Sequence, residues 1–324
     1  MKKIAILGAS SQIAKDFILS TCAAKEYGLI LYVRDIPRMR TWLSENALAA
    51  LDVFAYESYG QQDHEVVMNF IGVGDPSKAA AMGASILDIT LEYDQMVLRE
   101  LSTHPTRKYL FLSSGAAYGS AFDAPAGQDS SATIPINGIS AQDYYSVAKL
   151  HAEVRHRAAG SMPIVDIRVF NYFSKTQDIN ARFFVTDIVR AIRDDEVLCT
   201  LPGNMTRDYL HPHDFYSLVH CIIQSPSKNT AIDCYTRSPV SKYDLLNEIS
   251  EKLGLRYTFI DAPSVSVSAT GTKTHYYSTY YAAAEFGYKP MYSSLDTVLN
   301  ESAAILGVRL DQAAKPTGQA DETY

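Results

Sequence analysis

The chain is poor in the residues that staple or metallate a protein. Its four cysteines, Cys22, Cys199, Cys221 and Cys234, are scattered through 324 residues. None stand at metal-ligand spacing and there is no C-x-x-C. That excludes a disulfide framework and a cysteine metal site, and predicts reduced, mostly buried thiols in the cytosol. His211 and His213 lie close together but have no third ligand nearby, so no metal is expected there either. No apolar run reaches the length of a membrane-spanning helix, and the apolar stretch after Met1-Lys2-Lys3 is too short for a secretory signal. Positive charge is scarce: the formal net charge is −7. A nucleic-acid partner is therefore not expected, nor is a membrane. Small nucleotide ligands stay open, because local groups rather than net charge bind them. Internal repeats are absent.

What is present is ordinary globular composition, 47% hydrophobic and 20% charged, in a chain long enough for one large or two moderate domains with a substantial core. Short apolar runs punctuate it. Ile4-Ala5-Ile6-Leu7 ends at Gly8. Leu29-Ile30-Leu31-Tyr32-Val33 follows. Val66-Val67-Met68-Asn69-Phe70-Ile71 ends at Gly72-Val73-Gly74. Tyr109-Leu110-Phe111-Leu112 ends at Ser113-Ser114, and Ile164-Val165-Asp166-Ile167-Arg168-Val169 precedes Asn171. Such runs read as buried parallel strands. Helical spacing lies between them, through Ile13, Phe17 and Ile18 and over about 86–102 and 143–159. Alternation of this kind predicts an α/β fold, a doubly wound parallel (Rossmann-type) sheet, with ligands at the carboxyl ends of the strands. The later third differs. Ser241 and Asp244 predict the start of a helix that Gly254 ends, and 264–281 reads as a loop and an edge strand. We expect a dinucleotide-binding domain over 1–170, completed by about 211–236, where the strand near Ile232-Asp233-Cys234-Tyr235 returns to the main sheet. A smaller mixed substrate lobe is expected over 171–210 and 237–311, and a disordered tail over 312–324.

The first strand–turn–helix has the geometry that cradles a pyrophosphate: Gly8 for a tight turn, then Ser10, Ser11, Gln12 and Ile13 leading into a helix whose N-terminus offers N–H groups and partial positive charge. Dinucleotide folds usually carry three glycines here. This chain keeps one, with the small residues Ser11 and Ala14 in the other two places. After the second strand come Arg34, Asp35 and Arg38. An acidic residue there suits a ribose 2′-OH and arginine suits a 2′-phosphate; the two arginines favour NADP(H) over NAD(H).

Ser114 stands 31 residues before Tyr145, and Lys149 follows Tyr145 by four. A tyrosine and a lysine four apart share a helix face. The ammonium is expected to lower the phenol's pKa and make it a general acid or base, and a serine from a nearby strand end completes the hydrogen bonding. With 22 tyrosines in the chain, chance supplies about one Tyr–Lys pair at this spacing, so the weight rests on the Ser-Ser strand end and the glycine turn around it.

Together these segments resemble the extended short-chain dehydrogenase/reductase superfamily and, within it, the NAD-dependent epimerase/dehydratase family acting on nucleotide sugars, over about residues 3 to 307. Leu112-Ser113-Ser114-Gly115-Ala116-Ala117-Tyr118-Gly119 is similar to the family's serine motif, and Tyr145 and Lys149 to its catalytic pair. Arg168-Val169-Phe170-Asn171 resembles a segment whose asparagine contacts substrate. Arg207-Asp208-Tyr209-Leu210-His211 resembles one whose arginine grips the pyrophosphate, and Phe286-Gly287-Tyr288-Lys289-Pro290 resembles a C-terminal motif. The resemblance implies Ser114, Tyr145 and Lys149 as catalytic residues. It implies Gly8, Ser10, Ser11, Gln12, Ile13, Arg34, Asp35, Arg38, Gly72, Ser113, Tyr145 and Lys149 as the cofactor site, and Ser114, Asn171 and Arg207 as the substrate site. It also implies a nucleotide-sugar substrate and a homodimer with the Tyr145 helix at its interface. The 4,6-dehydratases carry an Asp-Glu pair directly after the active serine or threonine. Here those positions are Gly115 and Ala116, which argues against dehydration and leaves hydride transfer at one carbon, as a 4-keto reductase or a C4 epimerase. A dinucleotide-binding regulator without turnover is the other class that the single remaining glycine leaves open. The tyrosines over 276–281 are expected to pack the lobe rather than to meet a sugar.

Overall fold

The computed structural model describes residues 1–72, 81–119, 122–261 and 273–310. The expected tail and residues 264–272 of the expected loop and edge strand lie outside them. Seven strands form one parallel sheet: β1 (Lys3–Leu7), β2 (Gly28–Tyr32), β3 (Asp52–Phe54), β4 (Val66–Asn69), β5 (Lys108–Ser114), β6 (Ile164–Val169) and β11 (Thr230–Asp233), in the order β11-β6-β5-β4-β1-β2-β3. Each early strand is apolar on both sides, and the period-2 alternation divides it between two cores. Ile4 and Ile6, Leu29 and Leu31, Val66 and Met68 face one layer with α1 (Gln12–Ala24) and α6 (Pro212–Gln224). Ala5 and Leu7, Ile30 and Tyr32, and Val67 face the other, with α3 (Ser85–Thr103) and α4 (Ala141–Ala158). Helix α2 (Ile36–Glu45) leads to β3, a three-residue edge strand too short to stand out in the sequence.

The order reverses between β1, which continues to β2 on one side, and β4 on its other side. Such a switch point opens a crevice at the strands' carboxyl ends. Gly8 and Gly72 flank it.

The smaller lobe has its own core. Phe173, just after Asn171–Tyr172, packs with Val185, Ile188, Leu245, Leu246, Ile249 and Val298, contributed by α5 (Phe184–Arg193), α7 (Lys242–Leu253) and α8 (Ser294–Leu306). As expected, Ser241 caps α7, its hydroxyl accepting from the Asp244 N–H, and Gly254 ends it in the left-handed conformation. Short strands link lobe and sheet. Of these, β9 (Thr206–Arg207) pairs in parallel with β14 (His275–Tyr276), and β7 (Asn171–Tyr172) with β10 (Tyr209–Leu210). Arg207 thereby sits in register with Tyr276.

Candidate active site

At Gly8 the chain turns with φ +75°, and a Cβ there would lie 2.9 Å from the Phe70 and Ile71 backbone. Both facts demand glycine and bring the ends of β1 and β4 together. Ser11 then caps α1, its hydroxyl accepting from the Ala14 N–H at 3.4 Å. The free N–H groups of this first turn and the helix dipole lie at the crevice, where an anion is favoured. Ser10 is exposed on the turn, and Ser11, Gln12 and Ile13 are half-buried. The Gln12 side chain is turned to the other lobe, donating to Ser174 Oγ at 3.0 Å, so its contribution to an anion is the backbone N–H.

Beyond β2, Arg34, Asp35 and Arg38 are all exposed. Asp35 Oδ1 accepts the Arg38 N–H at 3.0 Å and caps α2, a task the sequence reading did not assign it. Lys15 lies 4.9 Å from the Trp42 ring centre. Burial and the neighbouring Arg38 charge push its pKa down, as expected of cations crowded at one edge.

Ser114 closes β5 and caps the 3-10 turn Gly115–Tyr118, its Oγ accepting from the Ala116 N–H at 3.1 Å. Gly115 is needed here because a Cβ would meet the Phe170 ring at 2.5 Å. Helix α4 begins at Ser140, whose N–H and hydroxyl both donate to Asp143 at 2.9 Å, and carries Tyr145 and Lys149. Lys149 is 3% exposed. Its Nζ donates to the Leu112 carbonyl at 2.7 Å, lies 4.4 Å from the Phe111 ring centre and 5.8 Å from that of Tyr145. A Cβ on Gly72 would be 3.5 Å from the same ammonium. Ser114, Tyr145, Lys149 and Gly72 thus converge on one mouth of the crevice.

Electrostatically the pair differs from expectation. Burial pushes the Tyr145 phenol above its ordinary value, opposed by the Ser114 hydroxyl beside it. Burial outweighs the lowering expected of Lys149, whose ammonium lies 5.8 Å from the Tyr145 ring centre. Burial likewise pulls Lys149 down to about 8, against the carboxylates of Glu153, Asp166 and Asp94 behind it.

Ser113 points away from the crevice. Its hydroxyl donates to Glu153 at 2.5 Å, so any cofactor contact is left to its backbone. Glu153 also accepts from Arg168 at 2.6 and 3.0 Å, and Arg168 donates to Tyr118, whose hydroxyl donates to Asp233. This buried belt ties β5, α4, β6 and β11 together beneath the site.

On the substrate side, Asn171 Nδ2 donates to the Asp208 and Tyr276 carbonyls at 3.2 and 3.5 Å, holding β14 in place. Arg207 is 4% exposed. Its Nη1 donates to the Thr206 carbonyl at 2.9 Å, while Nη2 has no partner among the described residues. Tyr276 packs as expected and has a further contact. Its ring does pack on Phe122 and Phe170, at 4.8 and 5.2 Å between centres, but its hydroxyl reaches Ser114 Oγ at 3.4 Å. Four other tyrosines and phenylalanines within ten residues hid it, and the β9–β14 pairing is what distinguishes it.

Fold and site together define an extended short-chain dehydrogenase/reductase: a parallel sheet with a glycine turn at its switch point, a serine at a neighbouring strand end, and a tyrosine and lysine on the helix packed beside it. The NAD dependent epimerase/dehydratase family matches residues 4–234, most of the chain, and the protein belongs to that family. No curated protein matches it in sequence. Its fold is similar to that of a UDP-glucose 4-epimerase from Bifidobacterium longum, solved with NAD+ and UDP (TM-score 0.74, 16% identity, 94% of this chain and 98% of that one). It is also similar to a UDP-glucuronic acid 4-epimerase from Bacillus cereus (TM-score 0.75, 16% identity, 94% and 98%). A dTDP-glucose 4,6-dehydratase from Bacillus anthracis, solved with NAD, gives a TM-score of 0.73 at 13% identity, covering 94% and 96%.

Proposed function

We propose that the protein is an NAD(P)-dependent oxidoreductase that reduces a 4-keto group on a nucleotide sugar. The observation that carries the reading is the convergence of Ser114, Tyr145 and Lys149 beside the Gly8 turn. That turn suits a dinucleotide, because its lack of a side chain lets a pyrophosphate approach backbone N–H groups at the start of α1. Gly8, Ser10, Ser11, Gln12 and Ile13 would hold the pyrophosphate, Gly72 and Lys149 the nicotinamide end, and Arg34 and Arg38 a 2′-phosphate. The bound cofactor supplies a hydride at the sugar carbon. Tyr145 supplies the proton to the ketone oxygen, so that carbonyl becomes alcohol. Its burial-raised pKa suits it to hold that proton until reaction. Ser114 donates a hydrogen bond to the same oxygen and stabilises its developing negative charge. Lys149 keeps positive charge beneath the site. The preference for NADP(H) is supported by the crowded cations at the α2 edge. A cytoplasmic homodimer packed through α4 is part of the same reading, tested by sedimentation.

The family's epimerases favour a second reading, C4 epimerisation by the same three residues. The two differ in net chemistry. A reductase consumes NADPH stoichiometrically with a 4-keto-6-deoxy nucleotide sugar, whereas an epimerase interconverts sugars without net change in cofactor. Tyr145→Phe is expected to abolish either turnover while leaving dinucleotide binding intact. Binding without turnover across a panel of nucleotide sugars favours the non-catalytic regulator, and absence of dinucleotide binding overturns all three.

A further inference from the structure

Tyr276 belongs to none of the motifs above, yet its hydroxyl faces the serine at the centre of the candidate site, with Ser114 Oγ at 3.4 Å. Ordinary hydroxyl pairs are closer, but hydrogen bonds in active sites are often long until substrate binds and tightens them. The ring has little freedom. It packs on Phe122 and Phe170, and the Lys273 ammonium lies 4.3 Å from its centre. Its backbone is held by the pairing with Arg207 and by Asn171. Burial keeps the phenol protonated far past neutral pH, so it always has a proton to donate. A serine oxygen has two lone pairs and one proton. On Ser114 the Ala116 N–H takes one lone pair at 3.1 Å. A proton from Tyr276 takes the other, and the Ser114 proton then turns to the remaining side, where Tyr145 stands. The Ala116 N–H also faces the Tyr276 oxygen, which favours the same direction: an oxygen that accepts there sends its own proton on to Ser114. The reverse direction would spend the Ser114 proton on Tyr276 and turn only lone pairs toward a substrate.

We propose that Tyr276 is a positioning residue for Ser114: its hydroxyl donates to Ser114 Oγ and, with the Ala116 N–H, fills both lone pairs of that oxygen, leaving the single Ser114 proton for the oxygen at the reacting carbon. The inference rests on the function proposed above, because the direction of this hydroxyl matters only where Ser114 serves a reacting oxygen. Negative charge develops on that oxygen as hydride arrives at the carbon, and a donor already aimed at it need not reorient during the reaction. The same orientation serves reduction and epimerisation.

The test is the kinetics of wild type, Tyr276→Phe, Ser114→Ala and the double variant, followed as NADPH oxidation with 4-keto-6-deoxy nucleotide sugars and as interconversion of UDP-sugars. Tyr276→Phe keeps the ring packing and deletes the hydroxyl. It is expected to lower kcat about 3- to 10-fold, with KM for the sugar and Kd for NADPH within about twofold of wild type. In the Ser114→Ala background the same substitution should cost nothing further, because the oxygen it orders is gone. Single-turnover measurement with enzyme in excess keeps the slow Ser114→Ala reaction readable. A role in folding alone predicts a different pattern: KM and NADPH affinity worsen together with kcat, and the loss is the same with and without the Ser114 hydroxyl. That pattern, or an unchanged kcat in Tyr276→Phe, overturns the Tyr276 assignment and leaves the function standing. Wild type that turns over no nucleotide sugar overturns the function and the assignment with it.

Discussion

His156 offers a sharp test of how the sheet is held beneath the site. It lies on α4 with its side chain fully buried, its Nδ1 2.6 Å from Asp166 on β6 and its Nε2 2.6 Å from Asp94 on α3. Arg155 and Arg157 close the cluster from outside, on Asp94 and Asp166 respectively, and the Tyr109 hydroxyl donates to Asp94. Burial alone would make the imidazole neutral. The hydrogen bonds to Asp166 and Asp94 outweigh burial and raise it to about 9, from an ordinary 6.5. A raised folded-state value means stability that is fully present below about pH 6.5 and disappears as pH climbs through about 9. At 1.36 kcal/mol per unit, the contribution below pH 6.5 is about 3 kcal/mol, or roughly 5–10 °C in Tm. The perturbation is His156→Gln, which keeps hydrogen-bonding atoms but never charges. Thermal melts by circular dichroism from pH 6 to 9.5 should show a wide gap between wild type and variant at pH 6 that closes toward pH 9.5. Lys149 and Lys273, both held down to about 8, shift stability the opposite way above that pH. Lys273 does so in both proteins and cancels in the difference, whereas Lys149 shares Asp94 and Asp166 with His156 and does not cancel fully. A gap of constant width across the range would refute the buried imidazolium.

Other perturbations probe the crevice. Gly8→Ala forces a Cβ against the Phe70–Ile71 backbone at positive φ. It should cost about 1–3 kcal/mol in urea unfolding and remove dinucleotide binding, seen as lost quenching of NADPH fluorescence. Exchanging Arg34 and Arg38 for serine should weaken NADPH about 10- to 100-fold and leave NADH affinity nearly unchanged by the same titration. Ser113→Ala deletes one bond to Glu153 that Arg168 continues to satisfy. A cost of about 1 kcal/mol with dinucleotide affinity unchanged is expected, and a large loss of affinity would return its hydroxyl to the cofactor site.

Much of this protein was legible before folding because its strands are short, apolar on both sides and end in marked residues. Ile4–Leu7 and Val66–Asn69 need no tertiary information to be recognised as buried parallel strands. Gly8 and Ser114 then mark strand ends where a parallel sheet gathers ligands, and the helix period alone places Tyr145 and Lys149 on one face. What the one-dimensional pattern left open concerns groups far apart in the chain. Tyr276 meets Ser114 across 162 residues, and it comes beside Arg207 only because β9 and β14 pair in register. Whether a hydroxyl faces ligand or core is also a matter of packing. Ser113 and Ser114 are neighbours of one type, yet strand alternation sends the first to Glu153 and the second to the crevice. Local periodicity encodes which elements form and which residues end them. Proton affinities, such as the raised Tyr145 phenol and the lowered Lys149 ammonium, depend on burial and on charges brought near by the fold, and these exist only once the layers have closed around them.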